Sequence, residues 1–273
     1  MQFLDLSDGS RVRMEIQGPQ TGPCVLFLCG VTVPCETFER NFHALSDAGA
    51  RCIRFDYPGR GWSSATTGFV GTPTSFAQAA LSVLDALGIS EPVGLVGLSM
   101  GGAVAATLAT EHPDRISRVA LVDPLFFTPR LTLLQKLLLV PGIGEILFGL
   151  RGESILVQGQ IQDFFSRRAA DEFIPVYRRS IAVPGVKRSI LATYRFLPGG
   201  AIERIYDALA ATKHPLLLVW GREDRTVPFH RHDELTAKLA RAQLAVVDEA
   251  GHVPQWEKSE VVNAHLARFF LGL

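Results

Sequence analysis

An apolar run, residues 93–98, meets an alanine-rich run, residues 103–109, across only Ser99-Met100-Gly101-Gly102. The first run has the length and composition of a buried strand, and the second those of a helix. Ser99 therefore lies where a strand turns at once into a helix, which imposes unusual dihedrals on the central residue. Gly97 and Gly101 lack side chains, so strand and helix can close up around it. The expected outcome is a serine hydroxyl raised at the end of a sheet, with the Met100 N–H beside it. Alone, a Gly-x-Ser-x-Gly pattern is a weak signal, and its context decides its weight.

The same rhythm recurs on both sides. Residues 3–6 and 12–16 flank Ser7-Asp8-Gly9-Ser10 and read as a β-hairpin. Residues 24–29 form an unbroken apolar run, as in a strand covered on both faces. Helical periodicity follows over 36–48, then a strand over 52–56, a helix opened by Thr72-Pro73-Thr74-Ser75, and a strand over 116–123. Such alternation specifies a parallel sheet with right-handed crossovers. Sites on these sheets form at the carboxyl ends of the strands. From Pro124 to Thr212 the alternation stops. This segment is rich in Leu, Ile and Phe, has helical periodicity, and carries Pro129, Pro141, Pro175, Pro184 and Pro198. It reads as a helical insertion folded over the sheet. Strands at 216–220 and 244–247, with helices at about 230–239 and 254–270, then resume the rhythm.

Composition excludes several partners. The 273 residues suit one large α/β domain or two small ones. The 27 basic and 27 acidic residues cancel and no basic tract occurs, which argues against a nucleic-acid partner. Asp5 and Asp8 fall where a secretory signal would need apolar residues, so none is expected. Cys24, Cys29, Cys35 and Cys52 lack zinc-ligand spacing and are expected as reduced thiols in a cytoplasmic compartment, a disulfide being the minor reading. The most lipid-like stretch, 131–150, is interrupted by Lys136, Pro141 and Glu145. It reads as amphipathic lid or core, with at most peripheral membrane contact and no span. Oligomeric state is not legible.

A serine hydroxyl is a poor nucleophile and needs a base, and the base needs an orienting acid. The loops after the last two strands carry Asp224 and His252, in Trp220-Gly221-Arg222-Glu223-Asp224 and Asp248-Glu249-Ala250-Gly251-His252. Both should open on the same edge as Ser99. Asp123, at the end of another strand, is the alternative acid, and its structural reading is a strand-end turn residue. Asp56 reads as a hydrogen-bonding residue of a tight loop, and Glu223 as solvent-facing. His43, His112, His214, His230, His232 and His265 lack comparable surroundings. His230 and His232, two apart, make a poor metal pair on a helix. Arg167, Arg168, Arg178, Arg179, Lys187 and Arg188 read as a solvated helix face, the sharper idea being a patch for an acidic substrate or acyl carrier.

Four motifs in order then carry a resemblance over nearly the whole chain. They are Asp56-Tyr57-Pro58-Gly59-Arg60-Gly61-Trp62-Ser63, Gly97-Leu98-Ser99-Met100-Gly101-Gly102, Trp220-Gly221-Arg222-Glu223-Asp224 and Gly251-His252-Val253-Pro254. The chain resembles α/β-hydrolases of the capped esterase and meta-cleavage hydrolase type. The resemblance implies a mostly parallel eight-stranded sheet with a helical cap inserted after strand 6. It implies a core of residues 1–124 and 213–273 and a cap of residues 125–212. It implies Ser99 as nucleophile, His252 as base, Asp224 as orienting acid, and an oxyanion hole from the Met100 and Val31 amides. Cys29-Gly30 departs from the family's usual His-Gly. The departure bears on the support of that loop, because the hole uses backbone N–H groups.

The expected activity is hydrolysis of a carboxylic ester with an apolar acyl or alcohol part, through an acyl-enzyme. The expected partner is thus a small apolar ester, with no metal or organic cofactor. The nearest rival is carbon–carbon bond hydrolysis of ring-cleavage dienoates. Gly97 and Val253 stand where many such enzymes have Asn and Trp, which lowers that option. Perhydrolase or lactonase chemistry stays open. A rival of another class is a ligand receptor on the same fold.

Overall fold

The computed structural model describes residues 2–66, 68–128, 133–196 and 201–273. Two strands, β1 (Gln2–Asp5) and β2 (Arg11–Gln17), form the hairpin that starts the sheet. β3 (Cys24–Leu28) follows, then α1 (Glu39–Asp47), entered through a 3-10 turn over Cys35–Phe38, and β4 (Arg51–Phe55). α2 (Pro73–Ala86) leads to β5 (Val93–Leu98), α3 (Met100–Glu111) and β6 (Ile116–Val122). Thr72 caps α2 as expected: its hydroxyl accepts from Ser75 N–H at 3.1 Å, with Pro73 in the first turn. Such a cap stabilises by about 1 kcal/mol.

Five helices then lie between β6 and β7 among the described residues: α4 (Leu133–Leu139), α5 (Ile143–Gln162), α6 (Arg167–Ile181), α7 (Val186–Phe196) and α8 (Ala201–Ala211). Pro129, Pro198 and the start of the 131–150 stretch lie outside the described residues. α8 packs on α3, with the Tyr206 ring buried between them and the sheet edge. Three exposed arginines of α6 pair with acids, Arg167 with Asp171, Arg168 with Glu172 and Arg178 with Glu153, as on a solvated face. No helix of the described residues is long and apolar enough to cross a membrane.

β7 (Leu216–Gly221), α9 (His232–Lys238), β8 (Gln243–Val247), α10 (Pro254–Glu257) and α11 (Ser259–Leu271) complete the chain. The sequence reads 254–270 as one helix, whereas Lys258 leaves the helical region at φ −126° and splits it. Beside the break, the Glu257 carboxylate turns back to accept from Gly251 N–H and Ser166 N–H, each at 2.7 Å.

The eight strands lie in the order β1-β2-β4-β3-β5-β6-β7-β8. β1, β2 and β4 pair antiparallel, and the run from β4 through β8 is parallel. Every residue of β5 is buried, which explains its unbroken apolar run: both faces are covered. The parallel register also sends β5, β6, β7 and β8 out on one edge, so Ser99, Asp123, Asp224 and His252 arrive together.

Gly101 is one of the tightest points of this edge. A Cβ there would sit 2.1 Å from the Leu28 carbonyl oxygen and 2.5 Å from that of Cys29. Both are backbone atoms of the neighbouring strand and its exit, so relief requires the helix to move. Gly101→Ala is expected to lower stability by about 1–3 kcal/mol. A urea titration checks this, and an unchanged midpoint would contradict the packing described.

Candidate active site

Ser99 adopts φ 54° and ψ −119°, outside the regions side-chain-bearing residues favour. Its neighbours hold it there. Its N–H donates to Val122 O at 2.9 Å, and its carbonyl accepts from Gly102 N–H at 2.9 Å and Leu125 N–H at 3.0 Å. Such strain costs about 1–3 kcal/mol and persists only where the surroundings over-determine it. The Ser99 side chain faces a cavity of about 460 Å³ that His252 also lines. Among the described residues, its hydroxyl makes no hydrogen bond, to His252 or to any other group.

Asp224 lies in the turn after β7 and is buried. Oδ1 accepts from Thr226 N–H at 2.8 Å and Val227 N–H at 2.9 Å, which fixes the carboxylate plane. Oδ2 then faces His252 Nδ1 at 2.8 Å. The acid can only accept, so Nδ1 carries the proton and Nε2 keeps its lone pair. Burial alone would lower the His252 pKa. The Asp224 charge, its hydrogen bond and the nearby Asp163 outweigh burial and raise it.

The His252 loop is tied down by backbone donors. Ala250 N–H donates to Glu223 Oε2 at 3.0 Å, Gly251 N–H to Glu257, and His252 N–H to the Asp163 carbonyl at 2.7 Å. Glu223, read from the sequence as solvent-facing, thus braces this loop instead. Its acceptor role is invisible in sequence, because the donor is a main-chain group on another strand's loop.

Asp123 is fully buried behind Asp224 at φ 41°. Its Oδ1 accepts from Gly221 N–H at 2.9 Å, and no donor faces its Oδ2. Burial, then the charge of Asp224, pushes its pKa well up, which favours the protonated form, able to donate to Asp224. The imidazole's partner is therefore Asp224, with Asp123 backing it.

Met100 opens α3, so its N–H is one of the orphan donors of a helix start. Val31, on the loop after β3, lines the cavity, and its N–H has no acceptor among the described residues. Arg60 holds that loop: Nε donates to the Val31 carbonyl at 2.9 Å, while other guanidinium nitrogens reach Ser189 Oγ and, at 2.7 Å, Thr193 Oγ1 on α7. Arg60 is 2 % exposed and has no carboxylate partner among the described residues. Burial pulls its pKa down to about 10, which leaves it charged at neutral pH. Cys29 is buried and its thiol pushed well up by burial, so it packs as a small neutral group beneath the loop. All four cysteines are free thiols.

Among the described residues, two groups bring metal-ligand atoms within 4.8 Å of one another: Cys35 with Glu36 and Asp56, and Asp123 with Asp224 and His252. In the first, the Arg13 guanidinium already supplies the positive charge, pairing with Glu36 and Asp56. In the second, the imidazole Nδ1–H occupies the acceptor of Asp224. Neither donor set has the open, ionised character a cation needs.

The cavity wall is mostly apolar, with Leu125, Leu138, Phe148, Leu156 and Leu191 among its residues. No Lys or Arg lines it among the described residues. Asp163 does, and sequence reasoning missed it: it ends a long helix and belongs to no motif.

Residues 25–265 match the model of the alpha/beta hydrolase family. The chain belongs to that family. This α/β-hydrolase is 29% identical over 286 residues to a 2-hydroxy-6-oxononadienedioate/2-hydroxy-6-oxononatrienedioate hydrolase of Burkholderia vietnamiensis, covering 97% of this chain and 93% of the relative. It is 33% identical over 284 residues to the dihydrolipoyllysine-residue acetyltransferase component of the acetoin cleaving system of Cupriavidus necator, covering 99% of this chain and 69% of the relative. Among solved structures, a thermophilic esterase from Thermogutta terrifontis superposes with a TM-score of 0.84 at 23% identity, over 98% of each chain. The family match marks the chain as an α/β-hydrolase, and the esterase superposition shows the shared fold.

Proposed function

We propose that this hydrolase cleaves carboxylic esters with an apolar acyl or alcohol part through an acyl-enzyme on Ser99. The observation that carries the reading is that Ser99 and an Asp224-bonded His252 open into one cavity whose wall is mostly apolar. His252 Nε2 takes the Ser99 proton as Oγ attacks the ester carbonyl. The oxyanion is held by the Met100 and Val31 amides, and His252 then protonates the departing alcohol. Water, activated by the same imidazole, releases the acid. Attack requires Ser99 Oγ to come within hydrogen-bond reach of Nε2, a contact that often tightens only with substrate bound. In this reading residues 125–212 act as the cap that closes the apolar pocket.

The second reading is carbon–carbon bond hydrolysis, which the name of the Burkholderia relative favours. That relative acts on dioates, which carry two carboxylates. A cavity without a described Lys or Arg in its wall supports neutral esters instead. Comparing kcat/KM for p-nitrophenyl butyrate with that for a ring-cleavage dienoate separates them. Turnover of the ester is expected to dominate, and dominance of the dienoate would overturn the ester reading.

The pH profile tests the base. His252 must be neutral to act, and its pKa is raised from the ordinary 6.5. The neutral fraction falls as pH drops through that raised value. The acid limb of kcat/KM on p-nitrophenyl butyrate is therefore expected above pH 6.5. A limb well below it would contradict the electrostatics of the site.

A further inference from the structure

The end of α5 delivers one charged side chain to the cavity. Asp163 ends the helix, and its carbonyl accepts the His252 N–H at 2.7 Å. Gly251 permits this approach: a Cβ there would meet the Asp163 carbonyl oxygen at 2.3 Å. The carboxylate is held on both oxygens by donors, Oδ1 by the Thr226 hydroxyl and Oδ2 by Gln160 Nε2 at 3.3 Å. Burial pushes the Asp163 pKa up, while the charge of the adjacent His252 and the Thr226 hydrogen bond pull against that and favour the carboxylate. Apart from His252, Asp163 is the sole ionisable acid or base of the Asp, Glu, Lys, Arg and His types among the described residues of the cavity wall. Arg60, a buried cation described above, is engaged behind the Val31 loop and is not part of that wall.

Position gives this charge a reading task. His252 hands its proton to the departing alkoxide, so the alcohol part of an ester lies beside the imidazole. Asp163 sits beside the same imidazole, near enough to act on its charge. We propose that Asp163 sets the substrate class on the alcohol side, admitting neutral and cationic alcohol parts and turning away anionic ones. This rests on the ester reading above. A carboxylate brought into that part of the cavity meets a fixed negative charge with no described cation to offset it. Like charges a few ångströms apart in a poorly solvated site change binding by about tenfold or more. A quaternary ammonium of the same shape gains from the same charge.

The test is kcat/KM for three butyrate esters that differ only in the alcohol: choline (cationic), 3,3-dimethylbutanol (its neutral isostere) and 3-hydroxypropanoate (anionic). With the wild-type protein, the anionic ester is expected to fall at least about tenfold below the neutral one, with the cationic ester at or above it. Asp163→Asn keeps the shape and removes the charge. It is expected to raise the anionic-to-neutral ratio by about tenfold and to lower the cationic-to-neutral ratio. Asp163→Glu keeps the charge and is expected to keep both preferences. Ratios within one variant cancel any general loss of activity or folded protein. Ratios unchanged in Asp163→Asn, or a wild type that does not discriminate, overturn the proposal while turnover of the neutral ester leaves the ester reading standing. Failure of the folded wild type on all three esters overturns both.

Discussion

Ser99→Ala is expected to lower turnover of p-nitrophenyl butyrate by at least about a thousandfold while leaving the melting temperature nearly unchanged. The loss follows from removing the only side-chain oxygen placed at the turn between β5 and α3. The fold should tolerate it, since the Ser99 hydroxyl bonds no other group among the described residues and the turn is held by main-chain bonds to Val122, Gly102 and Leu125. Ser99→Gly sharpens the point. Glycine adopts φ 54° without a Cβ penalty, so this variant is expected to be inactive yet more stable, by up to about 1–3 kcal/mol. Gain of stability with loss of activity would show that strain is held at this residue for the reaction. Near-normal turnover by either variant would exclude Ser99 as the nucleophile.

Asp224→Asn is expected to lower kcat by about ten-thousandfold, the cost seen when an orienting acid becomes an amide. The geometry gives the reason. Oδ1 accepts two backbone N–H groups, so the amide oxygen of Asn would take that place and turn its NH2 toward His252 Nδ1. The imidazole would then move its proton to Nε2, where a base needs a lone pair. Asp123→Asn should behave differently. Burial and the Asp224 charge favour the protonated form of Asp123, which an amide mimics, accepting from Gly221 N–H and donating to Asp224. Its kcat is expected to stay within about tenfold of the wild type, the scale of one supporting hydrogen bond. Stability supplies a second readout. An acid with pKa 3.8 unfolded and well above that folded must take up a proton to fold. That cost is absent below the unfolded pKa and grows as pH rises toward the folded one. Asp123→Asn removes it, so the variant is expected to melt higher than wild type at neutral pH. The reverse ranking of the two variants in kcat would make Asp123 the orienting acid.

The parallel strands were legible because burial on both faces leaves a continuous apolar run, as in β5, whose ends match the reading, and β3, read one residue too long. The convergence of Asp224 and His252 was legible for the same reason: parallel neighbours must exit on one edge. The insertion was legible only as helical, since its helices pack through long side chains on each other and on the sheet edge. The split at Lys258 and the brace by Glu223 were not legible. Both depend on main-chain donors of the His252 loop, which carry no side-chain signature. Asp163 was missed for a related reason. Its role follows from where α5 ends against Gly251, and no local pattern encodes that meeting.

The most direct measurement is reaction of the intact protein with a fluorophosphonate, followed by peptide mass spectrometry. One phosphonyl group per chain, on Ser99, and none in a folded His252→Ala variant is the expected result. A folded wild-type protein that stays unlabelled, or that carries the label on another residue, would contradict a Ser99 nucleophile driven by His252.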